Sequence, residues 1–502
     1  MKKSNMIKSA TSITLLAALA LTGCSAASTS NASATATSAT STSSSSTSDT
    51  TSKVADSFST DVKSGAKLAE DTHYSAKDVT WDSSSEVTID LSNPTATDGV
   101  TVSDGVITIT KAGNYKLTGT YEGQIKVEAT SGDMVRLILN NATITNSTGA
   151  AINMVEADEV VIYTASGTTN TVSDGSSYSD TASGSPDAAI YSKSDLTLAG
   201  EGALKVEGKY EEGIHTTDGL VIASGTLEVN AANTGIKGKD YVDILDGTIT
   251  VTASQDGINA SYSTTSTSTE SASTSTTQNN QGNQSAQGNQ SAPQAPSGSA
   301  GQAPAGGGQA PSGGGAGGGM GQPPAGGGAG GGMGGGGGTF EVVDATINIT
   351  GGTVTVNANG DGIDSNGTAT LSGGTLIVNG PFTGGNTSLD TNGDLLLNGA
   401  TVTAGNSGDM FEAPSTNSTS GYVKISNVSN LSAGTTVQVA DSSGNVVANY
   451  KVTNSSTALI LVSSSKITKG QSYTVYTTTD SVDASSTTLA SNATSLGSFT
   501  AS

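Results

Sequence analysis

The sequence predicts an all-β fold: a parallel β-helix, or solenoid, followed by a small C-terminal antiparallel β module. Three observations lead there. A short phrase recurs at a fixed interval, and two runs of alternating Val, Ile and Leu follow each copy. Beyond residue 70 no stretch shows a convincing helical amphipathic period, and aromatic residues make up only 4% of the chain. Short alternating strands are therefore the carriers of apolar burial.

The phrase is Ala189-Ile190, Gly213-Ile214, Gly235-Ile236, Gly257-Ile258 and Gly362-Ile363. The first run after it is Leu196–Leu198, Leu220–Ile222, Val242–Ile244, Thr346–Ile349 or Ala369–Leu371. A Gly-Thr turn then opens the second run, as in Gly225–Val229, Gly247–Val251, Gly352–Val356 and Gly374–Val378. Ile214 to Ile236 and Ile236 to Ile258 are both steps of 22 residues, as are Gly225 to Gly247 and Gly352 to Gly374. A fixed period of this size marks a repeat architecture. Propeller blades need about 40 residues each, and a β-sandwich has no reason to hold register to the residue. In a β-helix the coils stack at about 4.8 Å and each buries its neighbour's apolar face.

From the start of the chain, Lys2, Lys3 and Lys8 precede a short apolar run, Ile13–Leu21, too short to span a bilayer. Leu21-Thr22-Gly23-Cys24 follows and resembles a bacterial lipobox. Residues 1–24 are read as a lipoprotein signal peptide, with Cys24 as the lipidation site. That places the protein outside the bacterial cell membrane, held by a lipid anchor alone. The rival reading is a plain secretory signal with a chance cysteine. Residues 25–52 are nearly all Ser, Thr and Ala and read as a flexible tether. Residues 53–85, with His73, Tyr74 and Trp81, are expected to cap the open end of the stack.

The β-helix is expected over 86–415. Ile152 to Ile190 is 38 residues, one repeat plus a loop of about sixteen near Ser176–Asp187. Ile258 to Ile363 is 105 residues, and removing one repeat leaves 83, residues 261–343. This insert is Ser/Thr-rich, then Gln/Asn-rich, then Gly/Pro-rich, and is expected to be disordered, a loop grown from one corner of a continuous stack. Residues 416–502 lose the register but keep strand runs and hairpin turns such as Ser443-Gly444-Asn445, and are expected to form the C-terminal module.

The chain carries a formal charge of −23. Loss of the three signal lysines leaves 17 basic against 43 acidic side chains, a net of −26. Nucleic acid and anionic lipid are poor partners for such a surface, whereas divalent cations suit it.

At Val135–Ile144, Ala188–Leu198 and Gly235–Val242 the sequence resembles the carbohydrate-binding domain family of clostridial type, a right-handed parallel β-helix of secreted bacterial proteins. The resemblance covers about residues 85–410, with the insert as the departure. It implies binding of cellulose and acidic, pectin-like sugars, with calcium on the helix.

Stacking turns equivalent repeat positions into neighbours. Glu212, Asp256 and Asp361 occupy the position before Gly-Ile, Asp218 and Asp240 the fourth after the Ile, and Asp364 directly follows Ile363. Like charges opposed in this way repel, and Ca²⁺, which takes six to eight oxygens, turns the repulsion into binding. One calcium set is expected from Asp256, Asp361 and Asp364, a second from Glu212, Asp218 and Asp240. Solvated or Asx-turn aspartates are the plainer reading. For the sugar, Tyr191, Tyr210, Lys237, Lys239 and Asn259 are the candidates. Tyr241 falls on a strand position and reads as packing.

The expected function is therefore non-catalytic binding of a polysaccharide by a monomeric surface lipoprotein. A calcium-dependent lyase is the alternative; its base would have to be Arg136, the only arginine, or Lys237, Lys239 or His215. An adhesin or structural surface protein is the third reading.

Overall fold

The computed structural model describes residues 72–261, 341–382, 384–426 and 431–502. The signal segment with Cys24, the tether, residues 53–71 and nearly all of the insert lie outside the described residues.

Each coil contributes three strands. In one coil these are Glu212–Thr216, Leu220–Ile222 and Thr226–Ala231, and the next coil starts at Ile236–Gly238. Stacking generates three long faces, here called one, two and three in that order. Face one is a ten-stranded sheet, parallel except for its opening pair Val100–Ser103 and Val106–Ile109. Faces two and three merge into a nineteen-stranded sheet through the long strand Met134–Thr145, which pairs with both. The stack is a parallel β-helix of about ten turns.

The register is that of the sequence repeat. Ile152, Ile190, Ile214, Ile236, Ile258, Ile363 and Leu389 pair one after the next along face one. All seven point inward and the six isoleucines are fully buried. Burial of such a side chain stabilises by about 2 kcal/mol. Ile258 pairs with Ile363 and Tyr241 with Thr346, so the coils on either side of the insert are direct neighbours.

The Gly of the phrase has a packing cause. A Cβ on Gly213, Gly235, Gly257 or Gly362 would lie 2.3, 2.2, 2.1 or 2.3 Å from a Cγ1 of Val229, Val251, Val356 or Val378. These valines come from face three of the same coil and fill the corner under the phrase.

Residues 72–85 do not close an end of the stack. They strap the outer side of face two. Tyr74, Val79 and Trp81 cover the outward side chains Ile138, Val161, Tyr163, Val221 and Tyr241, and Trp81 meets Tyr163 edge-on at 4.8 Å between ring centroids. Face two is apolar on both sides here, which pure inside–outside alternation would not suggest. At the other end, Leu459–Ser463 adds to Thr401–Asn406 in antiparallel fashion, and Tyr422–Ser426 adds to Leu459–Ser463. A four-stranded antiparallel sheet of Val446–Lys451, Thr436–Ala440, Ser472–Thr478 and Thr494–Thr500 follows. It shares a separate apolar cluster with Val423, Ile425 and Ile460.

Candidate binding face

The residue after each inward isoleucine of face one points outward, because side chains alternate along a strand. Stacking lines these residues up. Lys126, Asn153, Tyr191, His215, Lys237, Asn259, Asp364 and Asp390 pair in succession in one straight file. At about 4.8 Å per step, the file spans roughly 34 Å. It is basic in its first part and acidic in its last.

The acidic end gathers five carboxyl groups. The Asp364 carboxylate accepts the side-chain amide of Asn259, one coil away. Asp256 Oδ1 accepts the backbone N–H of Asp361 at 2.8 Å, and Asp361 Oδ1 accepts that of Thr387 at 2.5 Å. Glu412 returns from beyond the last coil, taking the Thr391 hydroxyl at 2.6 Å and its N–H at 2.8 Å, and shares a hydrogen bond with Asp390. Burial, followed by the charges of Asp390, Asp256 and Asp364, pushes the Asp361 carboxyl up to about 7. Burial and the charges of Asp256 and Asp390 do the same to Asp364, also about 7. Burial and the Asp390 carboxyl raise Glu412 to about 8. The Asp256 carboxyl is raised as well, chiefly by burial.

Asp256, Asp361 and Asp364 stand near enough for their charges to act on one another, but one oxygen from each does not come within 4.8 Å of the others; each leaves its second carboxylate oxygen without a hydrogen bond among the described residues. The donor set is all hard oxygen with excess negative charge, the ligand chemistry of Ca²⁺, but the three carboxylates would have to close in to share one ion. Asp390 sits on the expected register of Leu389, and the repeat points to it directly. Glu412 carries no such signal; the chain reaches it only after the repeat has ended.

The second expected set is divided by the fold. Glu212 opens the strand Glu212–Thr216, and Asp218 and Asp240 lie past its far end. Glu212 is buried among cations instead. Its carboxylate meets His215 Nδ1 at 2.8 Å and Lys237 Nζ at 3.1 Å, and Asp187 Oδ1 meets the same Nδ1 at 2.6 Å. Burial alone would lower the His215 imidazole, but the two carboxylates outweigh it and hold it at about 9. His215 and Lys237 in turn keep the Glu212 carboxyl below its ordinary value in spite of burial. Two acids and two bases cancel here, and Nδ1 fills the space between the carboxylates with a proton. Although Asp187, Glu212 and His215 bring three ligand atoms within 4.8 Å of one another, their charge is already matched. Asp218 and Asp240 stand with Asp195, whose carboxylate lies 3.1 Å from His73 of the strap. Burial and these two neighbours push the Asp218 carboxyl up to about 6.

The expected sugar contacts also separate. Lys237 and Asn259 lie on the file. Tyr191 does too, but it is 3% exposed with its edge to His215, so it offers no stacking surface. Tyr210 stacks on Tyr178 of the inserted loop at 4.2 Å. Lys239 lies at the Asp218 corner, where its N–H reaches the Asp218 carbonyl at 3.2 Å. Tyr241 is buried beneath the strap and its hydroxyl lies 2.6 Å from His73 Nδ1. Arg136 is committed to structure. It donates to the Asp78 and Lys77 carbonyls and to Asn114, beside Trp81.

The coils and the polar file define a parallel β-helix with an outward polar face. Residues 103–296 match the family model described as carbohydrate-binding domain-containing protein, in agreement with the resemblance carried by the strand phrases. A protein of that description from Acetivibrio thermocellus is 36% identical over 145 residues, covering 28% of this chain and 51% of its own length. The chain therefore spans about half of that relative. A solved structure of a polysaccharide lyase-like protein from C. thermocellum, a gadolinium derivative, is 26% identical, with a TM-score of 0.42 over 62% of this chain and 95% of that one.

Proposed function

We propose that this chain is a lipid-anchored surface protein that holds an acidic, pectin-like polysaccharide along face one without cleaving it, through calcium bound at the acidic end of the file. The observation that carries this is the in-register gathering of Asp256, Asp361, Asp364 and Asp390 with Glu412 at one end of a polar file. Carboxyls held near neutral pH by mutual repulsion and burial gain most from a hard divalent ion. Calcium there would be held by Asp256, Asp361 and Asp364 and would bridge to uronate carboxylates, which lets so acidic a chain take an acidic polymer. Asn259 and Lys237, next along the file, would meet the sugar beyond the ion. Cys24 would supply the anchor.

Non-catalytic binding is favoured by the state of the bases on the file. β-Elimination needs an uncharged base at the sugar. His215 is held as an imidazolium well above neutral pH, and Lys237 is ion-paired to buried Glu212. A lyase remains the second reading because these two side chains are adjacent on the outward file. Native electrophoresis through gels containing polygalacturonate, in calcium or in EGTA, tests the proposal. Retardation in calcium alone, with no unsaturated-uronate absorbance, is expected. Equal mobility in both gels rejects it, and growth of that absorbance replaces it with the lyase.

A further inference from the structure

The cluster of Asp187, Glu212 and His215 is matched in charge but not in hydrogen bonds. His215 Nδ1 carries one hydrogen at most, and its geometry directs that hydrogen to Asp187 Oδ1 at 2.6 Å. Glu212 Oε2 lies 2.8 Å from the same nitrogen on a side chain only 5% exposed, yet it has no hydrogen bond among the described residues. A buried acceptor left in this way costs about 1–3 kcal/mol, and more when it is charged. That oxygen faces the other two ligand atoms, all three lying within 4.8 Å of one another.

A metal ion in place of that one hydrogen would serve all three atoms. Zinc holds nitrogen and oxygen ligands at about 2.0–2.2 Å, so its ligand atoms stand roughly 3.3 Å apart. The two separations at Nδ1 fall short of that by roughly 0.6 Å, which the Asp187 side chain, 28% exposed, has room to give. The ligands are also held from outside. Lys237 Nζ occupies Glu212 Oε1 at 3.1 Å and leaves Oε2 to the ion. The Glu212 N–H donates to the Asp187 carbonyl at 3.0 Å, fixing the end of the inserted loop against the coil. The buried Tyr191 ring stands at 90° to the imidazole, 5.3 Å between centroids, and walls one side of it. Outer partners of this kind orient the ligands of metal sites. Glu211 lies near enough to Asp187, Glu212 and Lys237 for charge to act between them. With it, three carboxylates face Lys237 and an imidazolium, one negative charge in excess; a divalent ion with a neutral imidazole brings the sum to zero. One nitrogen and two carboxylate oxygens suit a borderline ion such as Zn²⁺, whereas Ca²⁺ takes oxygen alone. The ligand chemistry thus separates this cluster from the acidic end of the file.

We propose that Asp187, Glu212 and His215 bind a transition-metal ion of the zinc class through Oδ1, Oε2 and Nδ1, with water completing its shell on the exposed side. The ion ties residues 174–187, the loop between the strands Thr169–Ser173 and Ala188–Ser192, to face one. The proposal does not depend on the reading of the file as a calcium-dependent polysaccharide site. Calorimetric titration of the untagged protein with zinc chloride at pH 8, in excess calcium that fills sites built of oxygen alone, tests it. One zinc ion binds; His215→Gln weakens it about a hundredfold and Asp187→Asn about tenfold. Zinc raises the melting temperature of the wild type and leaves that of His215→Gln unchanged. The other histidine, His73, is bonded to Tyr241 and Thr197 under the strap, so zinc shifts only the His215 imidazole resonances in NMR spectra. Absence of zinc binding, binding unchanged in both variants, or displacement of zinc by calcium overturns the proposal. Should a variant not fold, the wild-type spectrum decides: zinc that leaves the His215 resonances in place overturns it. Zinc binding by a protein that polygalacturonate does not retard upholds this site and rejects only the function proposed for face one.

Discussion

Asn259 donates its side-chain amide to the carboxylate of Asp364, a residue 105 positions along the chain and one coil away in space. The contact joins the coil that the insert interrupts to the first complete coil after it. It also lies at the start of the acidic end of the file. The same register that carries the stack across the insert therefore assembles the candidate calcium site.

Asp361→Asn and Asp364→Asn should act in opposite directions on the free and the calcium-loaded protein. Each removes a carboxyl raised by burial and like charge, so at pH 8 in EGTA the melting temperature should rise. Calcium affinity should fall by about tenfold or more for loss of one charged ligand. Calorimetry and thermal melts of both variants, with and without calcium, check this. Unchanged calcium isotherms would remove these residues from the site.

Replacing residues 262–340 with a six-residue Gly/Ser linker should leave the melting temperature within a few degrees of wild type. Ile258 and Ile363 already pair directly, and loop-closure entropy changes slowly with length. Collapse of the circular dichroism β signal would show that the stack depends on the insert.

Gly235→Ala should destabilise by about 1–3 kcal/mol through overpacking, because its Cβ would lie 2.2 Å from Val251 Cγ1. Val251→Ala in the same chain should recover part of that loss, a coupling that a double-mutant cycle measures by denaturant unfolding. Strict additivity would mean that the corner glycine is kept for another reason.

The strap should loosen as pH rises. Burial opposes protonation of His73, yet Asp195, Glu159 and Asp78 together raise it above its ordinary 6.5. Burial and Asp78 push the Glu159 carboxyl up to about 7, against the opposing pull of His73. Both groups hold protons more tightly folded than unfolded, so both contributions weaken with rising pH. For Glu159 the loss runs from its unfolded value of 4.5 to about 7; for His73 it continues above 6.5. Tyr241, Thr197 and Arg136 also face this cluster, and Arg136 keeps its charge throughout. Trp81, the single tryptophan, reports on the strap. Its emission should move to the red between pH 6 and pH 9, and Glu159→Gln should reduce the shift. A flat profile in both proteins would contradict the linkage.

The register across both insertions and the inward isoleucines were legible because a 22-residue period leaves little freedom to a stack. That Asp256, Asp361 and Asp364 are neighbours was legible for the same reason, whereas the spacing of their oxygens, which do not all lie within 4.8 Å of one another, was not. Pairing Glu212 with Asp218 failed because sequence offset within a coil does not say which corner a residue turns; the strand Glu212–Thr216 separates them. Glu412 and His73 reach their carboxylate neighbours from segments outside the period. Nothing local in the sequence announces such tertiary returns. Tyr191 looked like an exposed aromatic, but its neighbours in the inserted-loop corner, Ala150 and Ala188, bury it.

The central claim is that one calcium ion touches both the protein and the polymer. Linkage then requires each to raise the affinity for the other by the same factor. Calcium titration in the presence and absence of a saturating galacturonate oligomer measures that factor directly. The account predicts a tighter calcium isotherm with the oligomer present, and loss of the difference in Asp361→Asn. Superimposable isotherms from a protein that binds both ligands would contradict it.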